Sequence, residues 1–376
     1  MISRFLRLYW LLRRRIGLNN DMGLLNSELY RNDIKSALEK YDFSSFNGKS
    51  ILVTGATGLI CSSLIDALLF LQEITGIKIK IMGAGRNPNK IEKRFDDRII
   101  PIIYDAILPL QLVEDVDFII HGAGSASPEL YANKPVETMI SNIYGVNNLL
   151  NYCVGKKTRM VYISSSEVYG QKDKEDPFIE TNYGYIDLDN IRNSYSESKR
   201  ASEMLCKSYA IEYGVDVSMV RPGHVYGPTA STKDKRISSD FAYKAARGEK
   251  LEMLSAGLQN RSYCYCIDAS MAILTCLING VSGEAYNIGT EDVTSIREMA
   301  QILAKAGGVE LKIKEPTKEE KRVFNPMNNS SLNMRKISEI GYIESFTARE
   351  GLEHTVLILR ESGLVDCCIR IVDSKR

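Results

Sequence analysis

The chain has 376 residues, which is enough for one full-sized α/β domain and a smaller second domain. Its formal net charge of +1 provides no overall attraction for nucleic acid, so no nucleic-acid partner is predicted. With three histidines and eight cysteines that form no CxxC pairs, the sequence predicts no metal site. The cysteines lie mostly in apolar stretches, which favours buried, reduced thiols and a cytoplasmic protein.

The chain begins with a basic amphipathic segment over residues 1–16, in which arginines alternate with apolar side chains. The segment is too short to span a bilayer and lacks the cleavage site of a secretory signal. Two interpretations stay open: a helix that lies on an anionic membrane surface or on a partner, and a terminal helix that folds onto the protein or its dimer mate. Together with a polar helical stretch, it forms a predicted helical extension over 1–48.

An apolar run at 50–54 is followed by two glycines and a helical pattern, which predicts a strand, a tight turn and a helix. Short apolar runs of this kind are typical of strands buried on both faces of a parallel sheet. Further strands are predicted, with helices between them, at 78–82, 99–104, 117–121, 159–164 and 216–220. This alternation predicts an α/β fold with a doubly wound parallel Rossmann sheet, whose ligand crevice lies at the carboxyl ends of the strands.

The first turn predicts a site for the pyrophosphate of a dinucleotide, because helix N-terminal amides and the helix dipole attract anions. Gly55 permits the sharp turn, and Gly58 lets the backbone approach the phosphates. The third glycine of the usual fingerprint is replaced by Cys61, which is small enough for the helix to pack on the strand. The residues predicted to meet the cofactor at this turn are Gly55, Thr57, Gly58, Leu59 and Ile60.

Residues after the next strands are predicted to hold the rest of the cofactor. The second strand is not followed by an acid that could bind the ribose hydroxyls of NAD; Arg86 is there instead. An arginine at this position would suit NADP, so both cofactors are considered. The alternative is that Arg86 belongs to a solvated loop. Asp105 would either accept a hydrogen bond from the adenine or cap the next turn. The small residues after the fourth strand, with Ala123 on the cofactor side and Ser125 on the substrate side, let ligands lie against the backbone.

The predicted catalytic pair is Tyr195 and Lys199, four residues apart and therefore on one face of a helix. A nearby ammonium favours the phenolate, and lowering a tyrosine pKa from 10 to 7 requires about 4 kcal/mol. Lys199 together with a bound nicotinamide cation would supply this and turn Tyr195 into a general base for a sugar hydroxyl. Ser165, at the end of an earlier strand, would hydrogen-bond the same substrate oxygen.

Several motifs stand in an order that resembles the extended short-chain dehydrogenase/reductases, the NAD-dependent epimerase/dehydratase family that modifies nucleotide sugars. They are the Gly55-x-x-Gly58 turn, SSSEVYG at 164–170, Tyr195-x-x-x-Lys199, RPGHVYGP at 221–228, RSYCYCID at 261–268 and YNIG at 286–289. The resemblance covers about residues 49–360. It implies a tightly held NAD(P), a nucleotide-diphosphate sugar as substrate, transient oxidation at C4 of the hexose, and usually reduction before release.

Within that family, the segment IRNSYSESKR at 191–200 looks most similar to UDP-glucuronate decarboxylases. By that resemblance Ser165, Ser166, Glu167 and Tyr195 surround the sugar, and Arg261 meets the diphosphate or the departing carboxylate. The remaining predicted substrate contacts are Ser125, Asn193, His224 and Arg236, with His224 standing where these enzymes usually have Asn. Simpler roles stay open for two of them: Arg261 as a surface ion-pair partner and Glu167 as the cap of a turn.

The reaction class follows from the acids available. The related dTDP-glucose 4,6-dehydratases have Asp-Glu where this chain has Ser166-Glu167, and a serine cannot protonate a leaving hydroxyl. Loss of carbon dioxide from a 4-keto uronic acid needs no such acid, which favours a UDP-glucuronate decarboxylase-like enzyme. Dehydration and epimerisation remain alternatives, as do a simple reductase and a non-catalytic cofactor-binding scaffold in a glycan-assembly complex.

The predicted domain organisation places the Rossmann domain at 49–225, with its sheet completed by about 262–290. A smaller α/β substrate-binding domain is predicted from 226–261 and 291–365, followed by a tail at 366–376. The resemblance also implies a homodimer joined through the helices that carry Asn142 and Tyr195. The expected location is cytoplasmic, with membrane association left open by the basic N-terminus.

Overall fold

The structure of the chain is a computed structural model that describes residues 21–124, 128–173, 176–314 and 329–365. The predicted amphipathic segment 1–16, the predicted substrate contact Ser125 and the tail at 366–376 lie outside these residues. Within the described ranges, no helix is both long and apolar enough to cross a membrane.

A seven-stranded parallel sheet forms the centre of the molecule and confirms the predicted α/β Rossmann fold. Its strands, named in chain order, are β1 (Lys49–Thr54), β2 (Ile79–Gly85), β3 (Ile100–Ile103), β4 (Phe118–His121), β5 (Arg159–Ile163), β6 (Val217–Pro222) and β10 (Ala285–Ile288). The spatial order β10-β6-β5-β4-β1-β2-β3 reverses direction between β1 and β4. In open α/β sheets, the crevice at such a reversal is where ligands bind.

Helices cover both faces of the large sheet. The α-helices of the described residues are α1 (Glu28–Leu38), α2 (Leu59–Thr75), α3 (Pro88–Phe95), α4 (Pro128–Asn133), α5 (Pro135–Cys153), α6 (Ser194–Tyr213), α7 (Ile237–Arg247), α8 (Cys266–Asn279), α9 (Ile296–Gly307), α10 (Arg335–Glu339) and α11 (Ala348–Glu361). Consecutive strand residues point to opposite faces, so Ile119 and Ile120 of β4 are both fully buried but belong to different apolar clusters. This two-sided burial is why the strands read as continuous apolar runs.

The remaining strands form two small sheets. They are β7 (His224–Tyr226), β8 (Leu251–Met253), β9 (Asn260–Tyr265), β11 (Val293–Ser295), β12 (Leu311–Ile313) and β13 (Asn329–Ser330). Strand β9 pairs with β7, β11 and β13, while β8 pairs with β12. Strands β8, β11, β12 and β13 lie within the ranges 226–261 and 291–365 that are predicted for the substrate-binding domain. Strands β7 and β9 lie mostly in ranges predicted to belong to the Rossmann domain and its sheet, and the domain boundaries stay a prediction.

The described part of the N-terminal extension is anchored by buried polar groups. Asp33 of α1 accepts hydrogen bonds from the Tyr265 hydroxyl, at 3.1 Å, and from His354 Nδ1, at 3.0 Å. Tyr30 of the same helix donates to Asp66 on α2, whose carboxylate also pairs with Arg94. The predicted helix within 17–48 is therefore present, and it ties α2, β9 and α11 together.

Candidate active site

The turn between β1 and α2 has the shape that a pyrophosphate site requires. Gly55 has φ +72°, and a Cβ placed on it would lie 2.8 Å from the carbonyl oxygen of Gly122 at the end of β4. Gly58 is the N-cap of α2 and provides no side-chain cap, so the first amides of this 17-residue helix keep their hydrogen-bonding capacity. Thr57 and Gly58 are exposed. The turn therefore fits the phosphates of NAD.

Cys61, at the position of the third fingerprint glycine, is buried and packs directly against Gly122. A Cβ on Gly122 would lie 2.3 Å from Cys61 Sγ, so the glycine on β4 provides the space that the cysteine on α2 takes. The thiol lies 3.4 Å from the Thr54 carbonyl oxygen. Helix α2 therefore still packs closely on the sheet with Cys61 in place of the third glycine, as the sequence predicts.

Other predicted cofactor residues lie just after the carboxyl ends of neighbouring strands of the large sheet. Arg86 follows β2 directly and is exposed, while Leu59 is buried and Ile60 is partly exposed at the start of α2. The amide of Ala123, after β4, donates to Thr54 Oγ1 at 3.2 Å and thereby fixes the backbone beside the turn. Asp105 Oδ1 accepts from the amide of Ile107 at 3.3 Å, which is the turn-capping role left open by the sequence.

Tyr195 and Lys199 share one face of α6, and both are buried. Lys199 Nζ lies 5.8 Å from the centre of the Tyr195 ring and donates to the carbonyl oxygen of Ile163, at the end of β5, at 2.9 Å. Its charge also acts on the Cys61 thiol of α2. The pair therefore lies at the carboxyl end of the sheet, beside the glycine turn, as the ligand crevice requires.

The side chains around Tyr195 do not lower its pKa as expected when no cofactor is bound. Burial, followed by the charge of Glu167, raises the pKa of Tyr195 to about 12, although contact with Ser165 and two arginine charges oppose this. Burial lowers the pKa of Lys199 to about 8. Because the ammonium is directed to the Ile163 carbonyl, it does not offset the burial of the phenol by itself.

The serine-rich end of β5 leads into a short 3-10 turn next to Tyr195. Ser165 caps this turn by accepting a hydrogen bond from the Glu167 amide at 3.2 Å, and its hydroxyl contacts the Tyr195 phenol. Ser166 is buried within the turn. Ser165 and not Glu167 caps this turn, and the Glu167 carboxylate contacts Arg192 and Ser196 instead.

Glu167 forms a two-pronged ion pair with Arg192, a residue for which the sequence predicts no individual role. Arg192 Nη1 and Nη2 lie 3.1 Å and 2.9 Å from the two carboxylate oxygens, and Ser196 Oγ donates to the same carboxylate at 3.1 Å. The guanidinium also lies over the ring of Tyr131, which stacks on Tyr195 at 5.0 Å. Arg192 stands in the motif around Tyr195, but nothing in the sequence signals Tyr131.

The charges of three arginines act on His224 of β7. Burial and the charges of Arg261, Arg236 and Arg192, in that order, lower the pKa of His224 to about 3, so its ring is neutral. Its Nδ1 atom is buried and has no hydrogen-bond partner among the described residues. Arg261 is itself 2% exposed, which rules out the surface ion pair considered for it. Arg236 is held by Asp234 through Nε at 3.0 Å.

Asn193 differs from the other predicted substrate contacts, because its amide donates to the Asp187 carbonyl oxygen at 2.7 Å. In this arrangement it fixes the loop before α6. The structure thus brings Ser165, Glu167 and Tyr195 together with the arginines and His224, whereas the amide of Asn193 is already used by the backbone.

The glycine turn at the sheet reversal and the Tyr195–Lys199 pair beside it define a dinucleotide-dependent enzyme of the short-chain dehydrogenase/reductase type. The comparison with family models gives the particular family. The model of the NAD dependent epimerase/dehydratase family matches residues 51–289, and the chain belongs to this family. NAD is the cofactor that the family name specifies, and the turn described above fits it.

Named relatives agree with this assignment. UDP-glucuronic acid decarboxylase 6 of Arabidopsis thaliana is 31% identical over 309 residues, which cover 80% of this chain and 86% of that protein. UDP-glucose 4-epimerase of Thermotoga maritima, solved with UDP-glucose, superimposes with a TM-score of 0.70 at 25% identity, covering 83% of this chain and 99% of that chain. UDP-glucuronic acid 4-epimerase of Bacillus cereus, solved with UDP-glucuronic acid and NAD, shares the fold at a TM-score of 0.68, 22% identity, and coverages of 83% and 99%.

Proposed function

We propose that this chain is a UDP-glucuronate decarboxylase-like enzyme that oxidises C4 of a nucleotide-linked uronic acid, releases carbon dioxide and reduces the ketone before release. The observation that carries the proposal is the position of Arg261, which is buried on β9, the strand that pairs with β7 and its His224. The charges of Arg261, Arg236 and Arg192 all act on His224. Arg192 and Arg236 form ion pairs with Glu167 and Asp234, whereas Arg261 has no ion pair among the residues that the structure describes. Arg261 therefore provides a positive charge for a substrate that carries a diphosphate and a carboxylate. The identity to the Arabidopsis decarboxylase supports the same choice.

The turn at Gly55 and Gly58 would hold the phosphates of NAD, which when bound would supply the hydride chemistry at C4. Tyr195 takes the proton of the C4 hydroxyl, and Ser165, which contacts the phenol, hydrogen-bonds the same oxygen. With a pKa of about 8, Lys199 is mostly protonated at neutral pH and places a positive charge beside the developing phenolate. The Ile163 carbonyl holds this ammonium in place.

The chemistry of the 4-keto sugar then needs little from the protein. The C5–C6 bond breaks, carbon dioxide leaves, and the electron pair moves onto the C4 ketone as an enolate. A proton from water is then added at C5, and Tyr195 returns its own proton to O4 as the ketone is reduced. The arginines would hold the diphosphate and orient the carboxylate, which is where Arg261 and Arg236 act in this proposal.

Other reactions of the family are the second candidates. A 4,6-dehydratase needs an acid for the leaving hydroxyl; Ser166 stands at that position and is buried in the turn. Epimerisation through a 4-keto sugar needs no such acid and is the stronger alternative. A non-catalytic scaffold would have no use for the Tyr195–Lys199 pair, and a simple reductase would release its cofactor after each turnover.

The test is to incubate the purified protein with UDP-, dTDP-, CDP- and GDP-linked sugars, uronic acids included, and to read the product masses. Loss of carbon dioxide from a uronate supports the proposal, whereas loss of water or an unchanged mass with an altered sugar would identify a dehydratase or an epimerase. Failure to convert any sugar, with NAD still bound, would favour the scaffold.

We also propose a homodimer formed through α5 and α6. Both helices carry exposed apolar side chains, among them Tyr144, at 50%, and Met204, at 65% exposure. Apolar surface of this kind is typical of an interface. Met204→Glu should convert a dimer into a monomer in light scattering after gel filtration, while Arg335→Glu, an equally large change on exposed α10, should not. A wild-type monomer would contradict this proposal.

For the basic segment 1–16 we propose contact between a cytoplasmic enzyme and an anionic membrane surface. Its arginines would attract anionic lipid headgroups, and its leucines and tryptophan would enter the interface. The full-length protein should sediment with vesicles that contain phosphatidylglycerol and stay in solution with neutral phosphatidylcholine vesicles. Equal sedimentation of a chain that lacks residues 1–16 would contradict this proposal, and would favour contact of the segment with the folded protein or with a partner.

A further inference from the structure

The carboxylate of Glu167 is the starting point, because it lies beside the catalytic phenol and carries a negative charge into the proposed sugar site. Its charge raises the pKa of Tyr195, so the two groups are within electrostatic reach. The side chain is 21% exposed, and its solvent screening is therefore limited. A sugar that carries its own carboxylate would be repelled by an unpaired Glu167.

Arg192 offsets that charge with a rigid geometry. Its guanidinium grips both oxygens of Glu167, at 3.1 Å and 2.9 Å, and is itself only 17% exposed. The ring of Tyr131 supports the guanidinium from one side at 5.4 Å. Planar, two-pronged pairs of this kind fix orientation as well as charge.

One donor of Arg192 takes no part in the pair with Glu167. Its Nε atom is buried and has no hydrogen-bond partner among the described residues. A buried donor without an acceptor is costly, so an oxygen of a bound substrate at this position would be favoured. Arg236, in contrast, already uses its Nε on Asp234.

We propose that Arg192 is a specificity-determining residue: by pairing with Glu167 it cancels the negative charge beside Tyr195, so that a sugar bearing a carboxylate is accepted. This inference rests on the proposed function, since it explains how a uronate can bind beside Glu167 without being disfavoured against a neutral hexose. The pair acts by removing a repulsive element and not by adding an attraction.

The experiment compares the binding of UDP-glucuronate and UDP-glucose to the NAD-loaded protein by calorimetry. Arg192→Gln should reduce the affinity ratio of the two ligands at least about tenfold, because Glu167 then repels the uronate. The double variant Glu167→Gln/Arg192→Gln should recover most of the ratio, because the repelling charge is gone. Arg335→Gln, which removes an exposed arginine from an ion pair on α10, should leave the ratio unchanged.

A second readout separates this role from simple structural support. In Arg192→Gln the unpaired Glu167 should raise the pKa of Tyr195 and so move the acidic limb of the pH–rate profile, on which this base must lose its proton, to higher pH. Arg192→Lys, which keeps the charge, should move that limb less. Equal weakening of both ligands, or no recovery in the double variant, would overturn the inference. If Arg192→Gln does not fold, Arg192→Lys against Glu167→Gln gives the same comparison.

The wild-type protein separates this inference from the proposed function. If the wild-type protein binds and decarboxylates UDP-glucuronate, and Arg192→Gln has the same affinity ratio for the two ligands, only the inference fails. If it prefers UDP-glucose, both fail.

Discussion

Burial and the charge of Glu167 raise the pKa of Tyr195 to about 12, so the phenol is hard to ionise without a bound cofactor. The same burial excludes water from the group and holds it against Ser165, so a positive charge brought close to it has a large effect. The residue is therefore placed for proton transfer that depends on the bound cofactor.

Tyr195→Phe should lower turnover by about 10²–10⁴-fold, because the proton acceptor is lost while the ring and its packing on Tyr131 remain. NAD should stay bound, as measured by cofactor released on denaturation. Tyr213→Phe, the same change at the exposed end of α6, serves as the matched control and should keep wild-type turnover. Activity that survives in Tyr195→Phe would remove this residue from the mechanism.

At His224, the pH dependence of stability has a defined sign. The folded-state pKa of about 3 lies below the ordinary value of 6.5, so below pH 6.5 the unfolded chain binds a proton that the folded chain does not. The contribution is fully present above pH 6.5 and is lost as the pH falls. His224→Asn should therefore make the acid loss of unfolding free energy shallower, by about 1.4 kcal/mol per pH unit.

Urea unfolding at pH 7, 6 and 5 measures this slope. His354 provides the opposite control, because its hydrogen bond to Asp33 raises its pKa and stabilises the folded chain below pH 6.5. His354→Asn should make the acid loss steeper. An unchanged slope in His224→Asn would show that its ring is not held neutral.

Among the elements, the contact between α2 and β4 decides whether the cofactor turn keeps its shape. Gly122→Ala would place a methyl group 2.3 Å from Cys61 Sγ and should cost about 1–3 kcal/mol of unfolding free energy, with weaker NAD binding. Thermal unfolding and NAD titration measure both effects. Cys61→Ala added to Gly122→Ala should recover most of the loss; failure to do so would place the strain elsewhere in the turn.

For the whole molecule, the N-terminal extension acts as a strap across elements that are far apart in the chain. Asp33 joins α1 to Tyr265 of β9 and His354 of α11, with sequence separations of 232 and 321 residues. The buried apolar residues of the extension, Tyr30 and Ile34 among them, pack into the same cluster as α2. The packing of α2, β9 and α11 therefore depends on residues that precede the first strand.

Asp33→Ala should lower the unfolding free energy by about 1–3 kcal/mol, because the buried Tyr265 hydroxyl loses its acceptor. Glu39→Ala, which removes an exposed carboxylate beyond the end of the same helix, should stay within about 0.5 kcal/mol of wild type. Chemical denaturation of both variants checks the difference, and equal effects would argue against the strap.

The sequence by itself determined the sheet, the cofactor turn and the Tyr195–Lys199 pair. Strands buried on both faces must be apolar throughout, a glycine turn is local, and residues four apart on a helix share a face, so each signal is contained in a short stretch. The predicted strands around 117–121 and 159–164 are accordingly present as β4 and β5.

Only the tertiary structure decided which charges meet. Glu167 and Arg192 are 25 residues apart, and the Cys61 thiol on α2 packs against the backbone of Gly122, which follows β4. Whether Tyr195 has a raised or lowered pKa depends on burial and on the direction of the Lys199 ammonium. These quantities depend on distances across the fold, which no local pattern encodes, because electrostatic and packing energies are set by what lies adjacent in space.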